Sequence, residues 1–301
     1  MTRMSSVPSI GPERAAGGVE VRELAPAWTG ATATPPRRQR IARIVRLVLP
    51  PAAVGLAGLM IWEAIVRMQQ IPIYILPGPW LILRTLVKDW GTLYPSLLVT
   101  LAIAGAALLV ATVAGVAIAI LFTQSRWIEL SLFPYAVILQ VTPIVAIAPL
   151  VIIWVKNIPI ALLICAWIVA FFPIVSNTTL GLNSADHNLL NLFQLYGASR
   201  RQVFWHLRLP SAMPYFLGGL RISGGLALIG AVVAEFVAGT GGAQSGLAYR
   251  VLESGYTMQI PRMFAALFMI TCTGVLIFAA LTALSHLLLR KWHESAAERE
   301  G

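Results

Sequence analysis

Charged residues are scarce in this sequence. Only 11% of its 301 residues are Asp, Glu, Lys or Arg, whereas soluble proteins carry about 25%. A chain with so few charges cannot cover a surface that faces water on all sides. The charges it has lie in the N-terminal segment and between long uncharged runs, so the composition excludes an ordinary soluble domain and favours a membrane protein.

Cysteine is nearly absent as well. The two cysteines, Cys165 and Cys272, each lie within an apolar run, where a free thiol behaves as a small hydrophobic side chain. They provide neither a disulfide framework nor the spacing of a metal site. The sequence also lacks a GxxxxGK[ST] phosphate loop, so ATP chemistry is expected on another chain.

Six apolar runs are long enough to cross a bilayer as helices. They are residues 47–66, 97–122, 131–155, 158–176, 216–238 and 264–289. This pattern predicts an all-α membrane protein with six transmembrane helices. We expect residues 37–293 to form the transmembrane domain, 1–36 to form a disordered tail, and 294–301 to form a second tail.

The basic residues predict the orientation of these helices. Lys and Arg number 22 against 12 acidic residues, and they flank the apolar runs rather than form a nucleic-acid-binding patch. With the N-terminus inside, sixteen of them fall in inner segments and six in outer ones. Both termini are therefore expected in the cytoplasm, with membrane lipid and no nucleic acid around the chain.

Small residues and prolines mark particular positions within the predicted spans. Ala107, Ala111 and Gly115 recur every four residues, which predicts a ridge where another helix packs closely. Pro143 and Pro149 in the third span and Pro173 in the fourth each predict a kink in the helix.

The connection over residues 176–214 is long for a compact bundle, which favours a functional role. Its first part, 186–196, predicts a short helix that ends at Gly197. Ser199 and Gln202 then form a capping-box pattern, which predicts the start of a second helix. This second helix is expected over 200–209, with Pro210 after its end.

The same segment resembles the coupling motif of ABC importer permeases. That motif is EAA, three residues, Gly, nine residues, Ile, any residue, then Leu-Pro. Gly197, Leu209 and Pro210 match it, and Leu207 replaces the Ile. The EAA triplet is not matched, because residues 191–193 are Asn-Leu-Phe.

Further motifs are similar to the nitrate, sulfonate and taurine branch of these permeases, in order over about 47–293. They are Trp62-Glu63, Leu76-Pro77-Gly78-Pro79, Thr142-Pro143, Ala148-Pro149-Leu150, Phe171-Phe172-Pro173-Ile174, Gly219-Leu220-Arg221-Ile222, Ala234-Glu235 and Gly246-Leu247.

This resemblance implies a type I ABC importer permease fold in the inner membrane. It implies a second permease subunit, expected to be identical, an ATP-binding subunit dimer that holds ATP and Mg, and an extracytoplasmic solute-binding protein. The chain itself would be no enzyme and hold no cofactor. The solute would be a sulfonate, nitrate, an aromatic carboxylate or a vitamin precursor. The residues expected to couple the chain to the ATPase are Asn191, Leu195, Gly197, Ala198, Ser199, Arg200, Leu209 and Pro210.

Four residues are candidates for the pathway or its gate. Gln140, Thr142 and Pro143 lie in the third span, where Gln140 and Thr142 would either meet the solute or hydrogen-bond to another helix. Glu235 lies near the outer end of the fifth span, where a carboxylate is costly and suggests function. It would line the pathway or pair with Arg250 or Arg262 across a gate; otherwise it would face water or hydrogen-bond to a neighbouring helix.

Two other functions are alternative interpretations of this sequence. A self-contained secondary transporter would have six spans, but it would be expected to carry several ionisable groups at mid-membrane, which are almost absent here. An intramembrane serine protease would need Ser245 and His286 to meet. Arg200 and Arg201 likewise have two interpretations, contact with the ATPase or membrane-surface charge.

Overall fold

The computed structural model describes residues 37–239 and 245–289, and every regular element in these ranges is helical. The all-α fold class predicted from the sequence is confirmed. The predicted tails, 1–36 and 294–301, lie outside the described residues. In chain order the elements are α1 Arg37–Met68, α2 Pro79–Lys88, α3 Trp90–Gln124, α4 Arg126–Val141, α5 Ile144–Trp154, α6 Ile158–Leu182, α7 His187–Leu195, α8 Arg200–Val203, a π-helical turn Phe204–Arg208, α9 Leu209–Ala238, α10 Leu247–Tyr256 and α11 Ile260–Leu289.

Five helices in the described ranges are long and apolar enough to cross a membrane, and a sixth crossing is possible if a bent helix pair counts as one span. The five are Leu49–Met68, Trp90–Gln124, Ile158–Leu182, Arg200–Ala238 and Ile260–Leu289. The helix packing described below lies within residues 58–289, in the larger of the chain's two compact units.

The bent pair corrects the prediction of a continuous third span over 131–155. Helices α4 and α5 are bent by 99° at the break between them, where Thr142 and Pro143 have extended backbone angles. Pro143 has no N–H to donate, and its ring disfavours helical angles at the residue before it. Pro149 and Pro173 lie inside α5 and α6, which continue through them.

Helix α6 packs against α9 through glycines that let the two backbones approach. A Cβ added at Gly230 would lie 2.8 Å from Ala166 Cα, and one at Gly181 would lie 2.8 Å from Ala212 Cα. Between these points, Ser223 Oγ donates a 2.7 Å hydrogen bond to the carbonyl oxygen of Ala170. Close backbone contact of this kind replaces the large apolar side chains that hold soluble helix pairs together.

Helix α3 packs on α6 through the predicted ridge of small residues. Ala107 and Ala111 are fully buried, and a Cβ at Gly115 would lie 2.8 Å from Ile174 Cγ2 on α6. The four-residue spacing therefore identified a real helix contact.

Two shorter helices, α2 and α10, occupy connections that the sequence analysis left without structure. Both lie against α11, where Ile82 of α2 and Leu247 of α10 join a buried cluster with Ala265 and Met269. An ion pair between Arg262 Nε and Asp89 Oδ2, 2.6 Å long, ties the start of α11 to the residue between α2 and α3.

Candidate coupling segment and buried carboxylate network

Helix α7 leaves its apolar side chains exposed. Its N-cap, Asp186, accepts a 2.8 Å hydrogen bond from the N–H of Asn188, which fixes where the helix begins. None of its residues is buried. Leu192 is exposed, and Leu195 and Tyr196 are each 84% exposed. An exposed apolar surface of this kind is typical of a site that contacts another protein or the membrane.

The turn after α7 has the geometry predicted for Gly197. Its φ is +68°, a left-handed conformation that glycine adopts without strain. The N–H of Gly197 donates to the carbonyl of Gln194 at 3.0 Å, and the N–H of Ala198 donates to that of Phe193 at 2.9 Å. These two bonds form a Schellman motif, which satisfies the last carbonyls of α7 and fixes its angle to the next helix.

The next helix begins at the predicted capping box. Ser199 Oγ accepts from the N–H of Gln202 at 3.3 Å, and the Gln202 side chain accepts from the N–H of Ser199 at 2.7 Å. Backbone hydrogen bonds thus hold the first end of the turn, and side-chain-to-backbone hydrogen bonds hold the second, so the two helices are joined by a short, hydrogen-bonded turn.

The second helix does not end at residue 209, which corrects that prediction. Helix α8, the π-helical turn and α9 form one continuous helix, Arg200–Ala238. The N–H of Leu209 reaches back to the carbonyl of Phe204, and this wider turn makes room for the ring of Pro210 just after it. The connection predicted over residues 176–214 is therefore shorter in the structure. The long helix begins within it, and α6 continues into it as far as Leu182.

The predicted coupling residues therefore belong to one connected segment. Asn191 and Leu195 lie on α7, Gly197 to Ser199 form the turn, Arg200 opens the long helix, and Leu209 and Pro210 follow the π-helical turn. The base of this helix is anchored where Phe204 packs on a buried cluster of Ala119, Leu182 and Ala212. This cluster joins the start of the long helix to α3 and α6.

Glu235 lies in the last turn of α9 and is only 2% exposed. Thr100 Oγ1 on α3 donates to its Oε1 at 2.8 Å, and the N–H of Ala248 donates to its Oε2 at 3.0 Å. Thr100 Oγ1 also accepts from the N–H of Leu247 at 2.9 Å. A Cβ at Gly246 would overlap the carboxylate. The carboxylate thus joins α3 and α9 to the N-terminus of α10, whose first N–H groups have no partners within their own helix.

The two arginines predicted to pair with Glu235 have other partners. Arg250 donates to Ser96 Oγ at 3.0 Å and to Glu253 Oε2 at 2.7 Å, and Arg262 pairs with Asp89. The interpretation of Glu235 as one half of an ion-pair gate is therefore wrong. The alternative, a hydrogen bond to neighbouring helices, is the one the structure contains.

Gln140, Thr142 and Pro143 lie at the break between α4 and α5. Gln140 and Pro143 are exposed, and Thr142 Oγ1 donates to the carbonyl of Ile138 in its own helix at 2.6 Å. Neither Gln140 nor Thr142 hydrogen-bonds to another helix among the described residues. Helix α5 packs on α9, where Ala148 and Val151 share a buried cluster with Ala231 and Ala234. Neither Gln140 nor Thr142, however, hydrogen-bonds to Glu235 or its partners within the described residues.

Ser245 and His286 do not form a catalytic pair. Ser245 is buried beside the N-terminus of α10, and its neighbour Leu247 packs on Met269 of α11. His286 is exposed seventeen residues further along α11, which corresponds to roughly 25 Å at the rise of an α-helix. This separation removes the intramembrane serine protease interpretation.

Thr100 and the first turn of α10 belong to the network but were not predicted as parts of it. Thr100 is an ordinary polar residue within an apolar run, and nothing in its local pattern distinguishes it. The Gly246-Leu247 motif was a usable signal, because glycine is needed where a backbone approaches another group closely. Its partner, Glu235, could not be paired with it without the fold.

Comparison with known proteins places these features in a family. Residues 111–293 match the family model described as binding-protein-dependent transport system inner membrane component. The formylaminopyrimidine transport permease protein ThiX of Halalkalibacterium halodurans is 34% identical over 242 residues, which cover 80% of this chain and 95% of that protein. The putative aliphatic sulfonates transport permease protein SsuC of Bacillus subtilis is 29% identical, with 86% and 91% covered.

A solved structure, that of an amino acid ABC transporter with histidines, has the same fold. Its TM-score is 0.56 at 17% identity, and the match covers 69% of this chain and 97% of that chain. The likeness concerns the helical architecture and carries no information on the solute.

Proposed function

Because the chain belongs to the family of binding-protein-dependent transport system inner membrane components, we propose that it forms, with a second copy of itself, the alternating-access pathway of an ATP-driven importer. The chain is a multi-pass inner-membrane permease component and not itself an ATPase. A transport system of this family implies an ATPase and a binding protein as partners. In the proposed assembly, two ATPase subunits bind the α7 side and hold ATP and Mg.

The observation that carries this proposal is the exposed apolar surface of α7. Leu192, Leu195 and Tyr196 follow the i, i+3, i+4 spacing with which a helix lies in a groove of a partner. These large apolar side chains are exposed, whereas much smaller ones, such as alanines, are buried elsewhere in the chain. A groove on the ATPase is the proposed occupant of this surface, and closure of the ATPase dimer would move α7.

The proposed transmission uses the connection between α7 and the long helix. The Schellman motif at Gly197 and the capping box at Ser199 hold α7 at a fixed angle to the helix Arg200–Ala238. Arg200 and Glu235 are separated by about 50 Å at the rise of an α-helix. One helix therefore joins the coupling segment to the Glu235 network, so that a push at one end can reach the other.

The pathway itself is proposed to lie beside the break between α4 and α5. Gln140 and Pro143 are exposed there, and Thr142 is half-buried, so these residues are available to a solute or to the second subunit. Glu235 is proposed to hold α10 closed over the outer end of α9, as a latch rather than as a solute ligand, because its carboxylate is already engaged by Thr100 and Ala248.

Both termini are proposed to lie in the cytoplasm, on the α7 side. The excess of Lys and Arg in the segments on that side supports this orientation. The solute is proposed to be a sulfonate, nitrate, an aromatic carboxylate or a vitamin precursor. The names of the two relatives above, one for formylaminopyrimidine and one for aliphatic sulfonates, point to two of these classes.

The test is to express the chain with an ATPase and a binding protein encoded beside it, and to measure ATP hydrolysis in lipid nanodiscs. We expect a stable complex whose hydrolysis rises when the binding protein is loaded. Comparing formylaminopyrimidine, an alkyl sulfonate and nitrate as loads would separate the solute classes.

Two controls make this result decisive. Gly197→Pro is expected to uncouple hydrolysis from loading, whereas Gly225→Ala, at a helical glycine with open space around it, is expected to preserve it. Uptake that an ion gradient drives without ATP, in a chain that binds no ATPase, would refute the proposal and favour a secondary transporter.

A further inference from the structure

A cavity of about 730 Å³ lies between the end of α3, helix α7 and the first turns of the long helix. Its polar lining consists of Thr123 and Gln124 from α3, Gln194 from α7, and Arg200, Arg201 and Arg208. Three arginines thus line one recess.

These three arginines have no acidic partner among the described residues. The three ion pairs found there join Glu63 to Arg67, Glu253 to Arg250 and Asp89 to Arg262, and no Asp or Glu lines the cavity. Like charges gathered in a concave recess repel one another and raise the local concentration of anions. The recess is therefore prepared electrostatically for a negative ligand.

The start of the long helix adds to this positive field. Arg200 and Arg201 are its first two residues, and the Ser199 cap engages only the N–H of Gln202. The N–H groups of the first turn are without helical partners, and they carry the positive end of a helix of 39 residues. This positive helix end adds to the positive charge of the arginines, which are the main feature of the site.

We propose that this cavity binds a phosphate group. A guanidinium presents parallel N–H donors that match two oxygens of a phosphate, and three of them around one recess suit a tetrahedral anion better than a planar carboxylate. Gln124 of α3 and Gln194 of α7 also line the cavity, and their side-chain amides are neutral donors. The phosphate belongs either to the head group of an anionic phospholipid or to free inorganic phosphate.

The remaining lining is apolar and admits a ligand larger than the phosphate alone. The apolar lining residues are Ile120, Leu190, Ala198, Val203 and Phe204. Such side chains would accommodate the glycerol and first acyl carbons of a lipid. Both sources share the chemistry of the arginine contacts, so experiment must separate them.

An occupied cavity would connect α7 to α3 through the ligand. Since α7 is otherwise without buried residues, such a bridge would restrict its movement relative to the bundle. The site would then regulate how strongly ATP hydrolysis depends on the loaded binding protein; this consequence, unlike the binding itself, rests on the proposed function.

Binding is tested on the full-length permease without the ATPase, by native mass spectrometry after release from nanodiscs. One arm uses phosphatidylglycerol nanodiscs without phosphate, and the other uses phosphatidylcholine nanodiscs with added inorganic phosphate. The variants are Arg208→Gln and Arg201→Gln. Arg126→Gln is the matched control, because Arg126 is exposed near the same end of α3 but does not line the cavity.

We expect an adduct of phosphatidylglycerol mass in the first arm or of phosphate mass in the second. Each cavity variant should weaken it on the order of tenfold, Arg208→Lys should weaken it less, and Arg126→Gln should leave it unchanged. Size-exclusion profiles verify that the variants remain folded.

Three results would overturn the proposal. They are the absence of an adduct in both arms, equal adducts in wild type and the cavity variants, and weaker ATPase assembly in Arg208→Gln without any phosphate binding. The last result would mean that an acidic side chain of the ATPase occupies the cavity. Because binding is measured on the permease alone, failure here leaves the proposed ATPase coupling untouched.

Discussion

Substitution of Gly197 tests the coupling segment most directly. Its φ of +68° costs a residue with a Cβ about 1–2 kcal/mol, while the surrounding space is open, since an added Cβ meets no atom within 4 Å. Gly197→Ala therefore carries a conformational cost without a clash. It should shift the population of the turn by roughly 5- to 30-fold, away from the angle that joins α7 to the long helix.

Two further variants grade this effect. Asn tolerates the left-handed region, so Gly197→Asn should cost less than Gly197→Ala. Gly197→Pro cannot adopt a positive φ and also removes the N–H that donates to Gln194, so it should cost most. The ratio of ATP hydrolysis with loaded to that with empty binding protein should fall in the order wild type, Asn, Ala, Pro.

The assay separates coupling from folding. Each variant is purified with the ATPase, its size-exclusion profile is compared with that of Gly225→Ala, and basal hydrolysis is measured beside the stimulated rate. The reasoning would be refuted if Gly197→Pro kept full stimulation, or if Asn and Pro were equally damaging, because the backbone conformation would then have no part in the effect.

Three other outcomes follow from burial and packing. Glu235→Ala removes the acceptor of two buried donors, at about 1–3 kcal/mol each, so hydrogen exchange in α10 should accelerate; unchanged exchange would exclude the latch. Gly230→Ala forces a Cβ against the Ala166 backbone and should destabilise the α6–α9 contact by about 1–3 kcal/mol. Its Tm should be lower than that of Gly225→Ala, and equal Tm values would contradict the close packing. Leu195→Glu, at a position 84% exposed, should leave the Tm unchanged but prevent ATPase binding in a pull-down; retained binding would count against α7 as the docking helix.

Local features of the segment at 186–202 could be predicted from the sequence because each depends on a few neighbouring residues. The helix start at Asp186, the left-handed Gly197 and the Ser199–Gln202 capping box are all local hydrogen-bond patterns. The end of the next helix could not be predicted in the same way. Pro210 marks a helix end by local rules, yet a π-helical turn accommodates it. Packing of Phe204 and Ala212 on either side of it against Ala119 and Leu182 favours continuation.

The break at Thr142-Pro143 is a second feature that local sequence rules could not predict. The sequence contains several prolines within apolar runs, and the local rule predicts a kink at each of them. Only the structure distinguishes Pro143, where the helix is broken, from Pro149 and Pro173, where it continues. Pro173 is buried whereas Pro143 and Pro149 are exposed, so burial of the proline by itself does not decide where the helix breaks.

The sequence by itself determined the apolar composition, the helical class, the close-packing ridge on α3 and the left-handed turn at Gly197, since these follow from hydrophobicity and from interactions between residues a few positions apart. The tertiary structure alone decided the partners of Glu235. Its carboxylate meets Thr100, 135 residues away, and the N–H groups of α10, while Arg250 and Arg262 are engaged elsewhere. Pairings between such distant residues depend on how the helices pack together, and that arrangement is set by contacts summed over the whole bundle.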